Sequence, residues 1–142
     1  EALEQGVEVM DKLRPDFRLL GELGLAYRAA GKTDQAVGTL RSVVEAMATM
    51  HEGFYDPRVT VPLAQLLEEK GELADACTLW RHLAEVGDPA GLAEYNLEAA
   101  RLLAATGEPV LMRNHLARAK ELAGGDDPNL RERIAALEKE AG

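Results

Sequence analysis

LAQLLEEKGELADACTLWRHL, residues 63–83, contains two stripes of apolar residues on either side of a single glycine. Before the glycine, Leu63 and Leu67 are four residues apart, and after it Ala76 and Trp80 have the same spacing. Side chains three or four residues apart lie on one face of an α-helix. The stretch therefore predicts two amphipathic helices, and the short turn between them forces an antiparallel hairpin.

The same pattern occurs three times, around Gly31, Gly71 and Gly107. Each glycine is predicted to adopt the left-handed conformation that ends a helix, where a Cβ would be strained. Six positions relative to the glycine carry apolar or small residues in all three copies. They are Leu23, Leu63 and Ala99 (eight before); Gly24, Ala64 and Ala100 (seven before); Tyr27, Leu67 and Leu103 (four before); Ala36, Ala76 and Met112 (five after); Leu40, Trp80 and Leu116 (nine after); and Val43, Leu83 and Ala119 (twelve after).

The predicted organisation is one domain of repeated hairpins. Helices are predicted at residues 17–30 and 33–50, at 57–70 and 73–86, at 91–106 and 109–123, with residues 1–14 as the second helix of an incomplete unit and 128–141 as a capping helix. The units are thus 17–50, 57–86 and 91–123. An Asp-Pro pair at 56–57 and another at 127–128 are favourable helix starts. Pro62 allows two interpretations: a helix that begins near Thr60, or one that begins at Pro57 and is kinked.

The composition supports an all-α fold and argues against several ligands. The 142 residues are 46% hydrophobic but only 4% aromatic, and the formal net charge is −9. A negative field repels phosphate backbones and anionic lipid, so no binding to nucleic acid is expected. No apolar run has the length needed for direct membrane insertion. The lone Cys77 cannot form an internal disulfide, so a cytoplasmic location is expected, with the bacterial periplasm as the alternative. Abundant Ala, Leu, Gly and Arg suggest a bacterial source.

The repeated positions resemble those of the tetratricopeptide repeat family. The resemblance covers most of the chain and implies an α-solenoid of antiparallel helix pairs in a right-handed superhelix, with about three units plus a C-terminal cap. It also implies a protein-binding scaffold or adaptor. Two features depart from the family pattern: Met112 replaces a small residue, and the glycines stand 40 and 36 residues apart against a norm of about 34. Extra residues are therefore expected at 50–57 and near 87–91.

The resemblance also implies where a partner protein or peptide would bind. In such stacks the first helix of each unit lines the concave groove. The corresponding rows are Arg18, Glu22, Leu25 and Arg28; Arg58, Val61, Gln65 and Glu68; and Glu94, Leu97, Glu98 and Arg101. Mixed charge around aliphatic side chains suits an extended or helical peptide. The alternative is that these residues form only a solvated surface.

Two further features bear on the partner. Family members that hold the acidic C-terminal tails of chaperones use Lys, Arg and Asn in the groove. The corresponding residues here are Gly21, Leu25, Val61, Glu94 and Glu98. These residues cannot clamp a terminal carboxylate, so chaperone tails are not expected to bind. Phe54 and Tyr55 are an aromatic pair that either fills the join between units or contacts a ligand.

Both ends of the chain carry amphipathic helical patterns. Residues 1–14 have the stripe Leu3, Val7, Met10 and Leu13, which either packs on the next helix or meets a second copy in a weak homodimer. Because the pattern begins at residue 1, the chain is expected to be a segment of a longer protein. In residues 128–141, Leu130, Ile134 and Leu137 form the stripe of a solvating cap or, alternatively, of a partner-binding helix.

The sequence contains no pattern that favours catalysis. His51, His82 and His115 lack the spacing of a zinc site, and Cys77 has no second cysteine and no histidine on the same helix face. No enzyme activity, metal or cofactor is therefore expected. The predicted function is a protein-protein interaction module; the alternative is a non-catalytic regulatory or oligomerisation segment of a larger multidomain protein or enzyme.

Overall fold

The computed structural model describes residues 17–50, 55–86, 91–123 and 127–141. Within these ranges the fold is all-α, with seven helices and no strand. The helices are α1 (Phe17–Ala29), α2 (Thr33–Met50), α3 (Pro57–Glu69), α4 (Leu73–Val86), α5 (Leu92–Ala105), α6 (Pro109–Leu122) and α7 (Pro128–Ala141). Their bounds agree with the predicted bounds to within one residue, whereas residues 1–14 lie outside the described part.

Helix α3 begins at Pro57, so the interpretation in which this helix starts near Thr60 is wrong. The carboxylate of Asp56 caps the helix by accepting a hydrogen bond of 3.0 Å from the backbone N–H of Arg58. Pro62 lies inside the helix and has no N–H to donate to the carbonyl four residues earlier. The equivalent cap at α7 is a bond of 3.0 Å from the Leu130 N–H to Asp127.

The three predicted turns have the same backbone geometry. Gly31, Gly71 and Gly107 have φ angles of 76°, 83° and 78°, which confirms the left-handed conformation expected at each. The residue after each glycine donates its N–H to a carbonyl five residues earlier, at 2.9 Å in all three turns. This bond closes a Schellman motif, which satisfies carbonyls that the helix end would otherwise leave unpaired.

The hydrophobic core follows the repeated register. Ala64 and Ala100 on the first helices, and Ala36 and Ala76 on the second, are 0% exposed. Small side chains at these positions let the paired helices approach closely. Gly24 serves the same purpose in the first hairpin, because a Cβ there would lie 2.7 Å from the Leu40 side chain.

Each helix packs against the next one along the chain. Helix α1 also packs against α3, and α5 against α7, and no described helix packs against an element further away in the chain. The apolar stripe of α7 packs on the core, with Ile134 3% and Leu137 8% exposed. None of the seven described helices has the length and apolar character that crossing a bilayer would require.

Candidate functional site

The predicted partner-binding residues, apart from Phe54, Tyr55 and Leu97, belong to a surface that we call the odd-helix face. It consists of Arg18, Glu22, Leu25, Arg28, Arg58, Val61, Gln65, Glu68, Glu94, Glu98 and Arg101, on α1, α3 and α5. The aliphatic members, Leu25 and Val61, are half-buried, whereas Arg18, Glu22 and Gln65 are exposed. The face therefore combines partly accessible apolar carbon with charged side chains.

The structure corrects the prediction for Leu97. This side chain is 3% exposed and belongs to the core, so it offers no surface to a partner. Its neighbour Glu98 remains half-buried on the face. A position between two polar face residues was assigned to the surface, but its side chain belongs to the hydrophobic core.

Hydrogen bonds connect the odd-numbered helices at equivalent register positions. Arg28, three residues before its glycine, donates to Gln65, which lies six residues before the next glycine, at 2.9 Å. At the following pair of helices, Glu68 and Arg101 occupy the same two positions and form an ion pair of 2.7 Å. The structure therefore brings the three predicted rows side by side.

Arginine and glutamate side chains form a continuous network at the α5 end of the face. Arg101 pairs with Glu68 and, at 2.5 Å, with Glu98. Arg133 of the cap also pairs with Glu98, and it reaches Glu94 at 3.4 Å. Burial alone would lower the pKa of Arg101, but its hydrogen bonds to the carboxylates outweigh burial and raise that pKa. The charges at this end are therefore largely compensated within the chain.

Arg133 was not among the predicted site residues. The signal that could have identified it is a pair of carboxylates one helical turn apart on α5, together with a basic residue on the polar side of the cap. Because Arg133 bonds to Glu94 and Glu98, the cap closes the α5 end of the odd-helix face.

Arg58 is held at the start of its own helix. Its guanidinium donates to both carboxylate oxygens of Asp56, from Nε to Oδ1 at 3.2 Å and from Nη2 to Oδ2 at 2.9 Å. Burial acts to raise the pKa of Asp56, but the hydrogen bonds from Arg58 outweigh it, so that pKa lies below its ordinary value. The same pairing raises the pKa of Arg58. Arg58 thus supports the N-terminus of α3, and a ligand would have to compete for it.

Tyr55 packs against the second hairpin. Its ring stacks on His82 with a centroid separation of 4.5 Å and an angle of 4° between the planes. The ring is half-buried, and this contact lies within the second hairpin, because Tyr55 precedes α3 and His82 belongs to α4. The other member of the predicted pair, Phe54, lies outside the described residues.

A polar network that the sequence analysis missed connects α4, α5 and α6. Arg81 Nε donates to His115 Nε2 at 3.3 Å, and His115 Nδ1 lies 2.9 Å from Asn96 Oδ1. Asn96, 3% exposed, in turn donates to the Leu92 carbonyl at 2.8 Å. These bonds fit a neutral imidazole that donates from Nδ1 and accepts at Nε2. An Asn within an otherwise apolar stripe was the available signal.

The lone cysteine of the sequence, Cys77, lies in the hydrophobic core. Cys77 is 5% exposed, and burial raises the pKa of its thiol, which disfavours the nucleophilic thiolate. In the described part of the chain, no group of three His, Cys, Asp or Glu side chains is placed to hold a metal ion. The thiol lies 3.9 Å from the Ala99 carbonyl on the neighbouring helix, as expected of a small packed side chain.

An open cleft of about 490 Å³ lies at the α5 end of the odd-helix face. Its lining includes Arg101, Ala104, Met112 and Leu137. Glu108 and Glu140 also line the cleft, so acidic side chains accompany the apolar carbon, and Arg101 is already bound to two other carboxylates.

Comparison of the sequence with models of known protein families finds no match, and comparison with curated proteins finds none either.

Proposed function

We propose that this chain is a tetratricopeptide-like α-solenoid with a right-handed superhelix, and that it binds another protein or a peptide along the odd-helix face. The proposal assigns it no catalysis. The same face would serve in a separate adaptor or in a non-catalytic regulatory segment of a larger protein.

The repeated geometry supports the solenoid. Three turns share one backbone conformation, and side chains three and six residues before successive glycines bond at both joins. Packing restricted to helices one or two positions apart is typical of a stack in which each unit touches only its neighbours. A globular bundle would bring distant helices together.

One observation carries the binding proposal: half-buried Leu25 and Val61 lie among exposed charges at the α1 end of the odd-helix face. Arg18 and Glu22 at this end form no hydrogen bond or ion pair with the described residues, unlike the network around Arg101. Apolar carbon beside charges that bond to no other described residue suits a peptide held by shallow contacts and polar clamps. Binding should therefore centre on α1 and α3.

The test is affinity capture from an extract of the source cells with three forms of the chain. The face variant carries Arg18→Glu and Arg28→Glu. The matched control carries Arg113→Glu and Arg131→Glu, which make the same charge change at exposed positions of α6 and α7. Arg101 is left intact because its reversal would place a third carboxylate between Glu68 and Glu98.

We expect the native chain and the control to retain a common protein that the face variant loses. Circular dichroism should show all three forms equally helical, because Arg18, Arg113 and Arg131 are exposed and the half-buried Arg28 bonds to Gln65 at the surface, where substitutions cost little stability. Equal capture by all three forms, or a loss confined to the control, would contradict binding at the odd-helix face.

The proposal excludes one group of partners. The carboxylates of Glu94 and Glu98 lie on the face where a bound chaperone tail would need cations, and the neighbouring Arg101 and Arg133 are already paired with them. An acidic C-terminal peptide should show no saturable binding in a micromolar titration. Saturable binding that the face variant abolishes would contradict this exclusion.

A further inference from the structure

The outer side of α1 is more open than the equivalent sides of α3 and α5. Leu23 is 37% exposed, whereas its register equivalents Leu63 and Ala99 are 1% and 0% exposed. The difference recurs three residues later, where Ala26 is exposed. Its equivalents Leu66 and Leu102 are 2% and 1% exposed. Two positions that are closed in the second and third hairpins are therefore open in the first.

The reason for the closure is visible in the later hairpins. Helix α2 packs against α3, and α4 packs against α5, so each first helix is covered by the second helix of the preceding hairpin. Val44 of α2, for example, lines the same cleft as Leu63 of α3. Helix α1 is the first described helix, and an amphipathic helix on its outer side would complete the same arrangement.

We propose that residues 1–14 of the same chain supply this helix and close the strip formed by Leu23 and Ala26. The segment has an apolar stripe that includes Val7 and Met10, with the spacing of a helix face. Only residues 15 and 16 separate it from α1, which begins at Phe17. Such a short connection gives it a high effective concentration at the strip, which favours it over the same segment of a second copy.

A double-mutant cycle in the full chain tests the contact. Val7→Ala and Leu23→Ala should each raise the unfolding equilibrium constant, by about tenfold. Because both remove parts of one contact, the double variant should raise it by clearly less than the product of the two factors. Gln5→Ala, which lies off the stripe, is the control, and its effect should multiply with that of Leu23→Ala. Alanine at these positions preserves helix propensity, so the variants should fold.

The outcomes separate the occupants of the strip. Coupling between Val7 and Leu23 in a chain that sediments as a monomer supports closure by the chain's own segment. If the two factors in the unfolding equilibrium constant multiply fully, or if neither substitution changes that constant, the proposal is overturned. Coupling that appears only in a dimer, and a dimer that Leu23→Ala dissociates, would assign the strip to a second copy and would also overturn it.

Discussion

The two joins between successive hairpins use the same register positions with different chemistry. At the first join, between α1–α2 and α3–α4, Gly21 lies so close to Val59 that an added Cβ would be 2.9 Å from its Cγ1. Helices α1 and α3 pack directly on each other here, whereas the Cα atoms of α3 and α5 stay more than 8 Å apart at the second join. The residue of α3 equivalent to Gly21 is Val61. At the second join, the ion pair between Arg101 of α5 and Glu68 of α3 takes the place of a close contact between the two helices.

The even-numbered helices show a similar contrast. At the first join, Arg41 and Asp75 form an ion pair of 3.8 Å between largely exposed side chains. At the second join, Arg81 occupies the position equivalent to Arg41 but donates to His115, which also bonds to the buried Asn96. The second join therefore depends on buried polar and aromatic groups, and the first on close helix approach. Substitutions should separate the two.

The largest effect is expected from removal of the aromatic contact at the second join. Trp80 is 3% exposed and lies 6.1 Å from the Tyr95 ring, centroid to centroid. Trp80→Ala should lower the free energy of unfolding by about 3–5 kcal/mol, because it leaves a cavity between hairpins. Urea denaturation measures the loss. Trp80→Phe, which keeps an aromatic ring, should lose less than half as much; equal losses would argue against packing as the cause.

The first join should be sensitive to added volume. Gly21→Leu would force α1 away from Val59, and it should cost about 1–3 kcal/mol of unfolding free energy. Val61→Leu, at the equivalent position of α3, should cost less than about 1.5 kcal/mol because α3 and α5 lie further apart than α1 and α3. Denaturation of both variants checks the order, and a larger loss at Val61 would contradict the comparison.

The hairpin shared by both joins depends on its turn. Gly71 has open space around it but a φ of 83°, so Gly71→Val should cost about 1 kcal/mol or more from backbone strain alone. Gly38, inside α2, also has open space, and no positive φ constrains it. Gly38→Ala should instead stabilise the chain by about 0.5–1 kcal/mol. Thermal unfolding in both variants measures the contrast, and losses at both positions would refute it.

The second join should weaken in mild acid. Burial, together with the charge of Arg81, lowers the pKa of His115, whereas an unfolded histidine titrates at about 6.5. The unfolded chain therefore binds more protons between the two pKa values, and the stabilisation present above about pH 6.5 is lost as pH falls towards the folded-state pKa. His115→Gln should flatten this part of a plot of unfolding free energy against pH. An unchanged profile would show that His115 is not responsible.

The smallest effect is expected at an exposed ion pair of the first join. Lys70 Nζ lies 3.1 Å from Asp34, whose side chain is 87% exposed. Asp34→Asn should change the unfolding free energy by no more than about 0.5 kcal/mol, and added salt should remove the difference. A loss comparable to that of Gly21→Leu would show that surface charge, rather than close helix approach, holds the first join.

Much of the fold could be predicted because local signals and the apolar repeat agree. Gly31, Gly71 and Gly107 mark the turns, and the Asp56-Pro57 pair marks the start of α3. The solenoid arrangement, the family and the function remain predictions. Pro62 allowed two interpretations because backbone preference alone does not determine whether a helix tolerates a proline near its start.

The candidate site was less predictable because partners distant in sequence determine which side chains are available. Leu97 has the same local pattern as surface residues, and its burial depends on helices packed around α5. The internal pairing of Arg101 likewise depends on Glu68, more than thirty residues away in sequence. Helical periodicity assigns a residue to a face of its own helix but does not show what covers that face.

Cross-linking in solution tests the central claim, that the hairpins stack in one repeated register. In a Cys77→Ala background, Arg28→Cys with Gln65→Cys and Glu68→Cys with Arg101→Cys place thiols at the two equivalent contacts. The control pairs, Arg28→Cys with Arg58→Cys and Glu68→Cys with Glu94→Cys, lie at opposite ends of neighbouring helices.

A short bismaleimide reagent should link both contact pairs within one chain, at similar rates, and leave both control pairs unlinked. Linkage at only one join, or control pairs that link as readily as the contact pairs, would contradict the repeated stack.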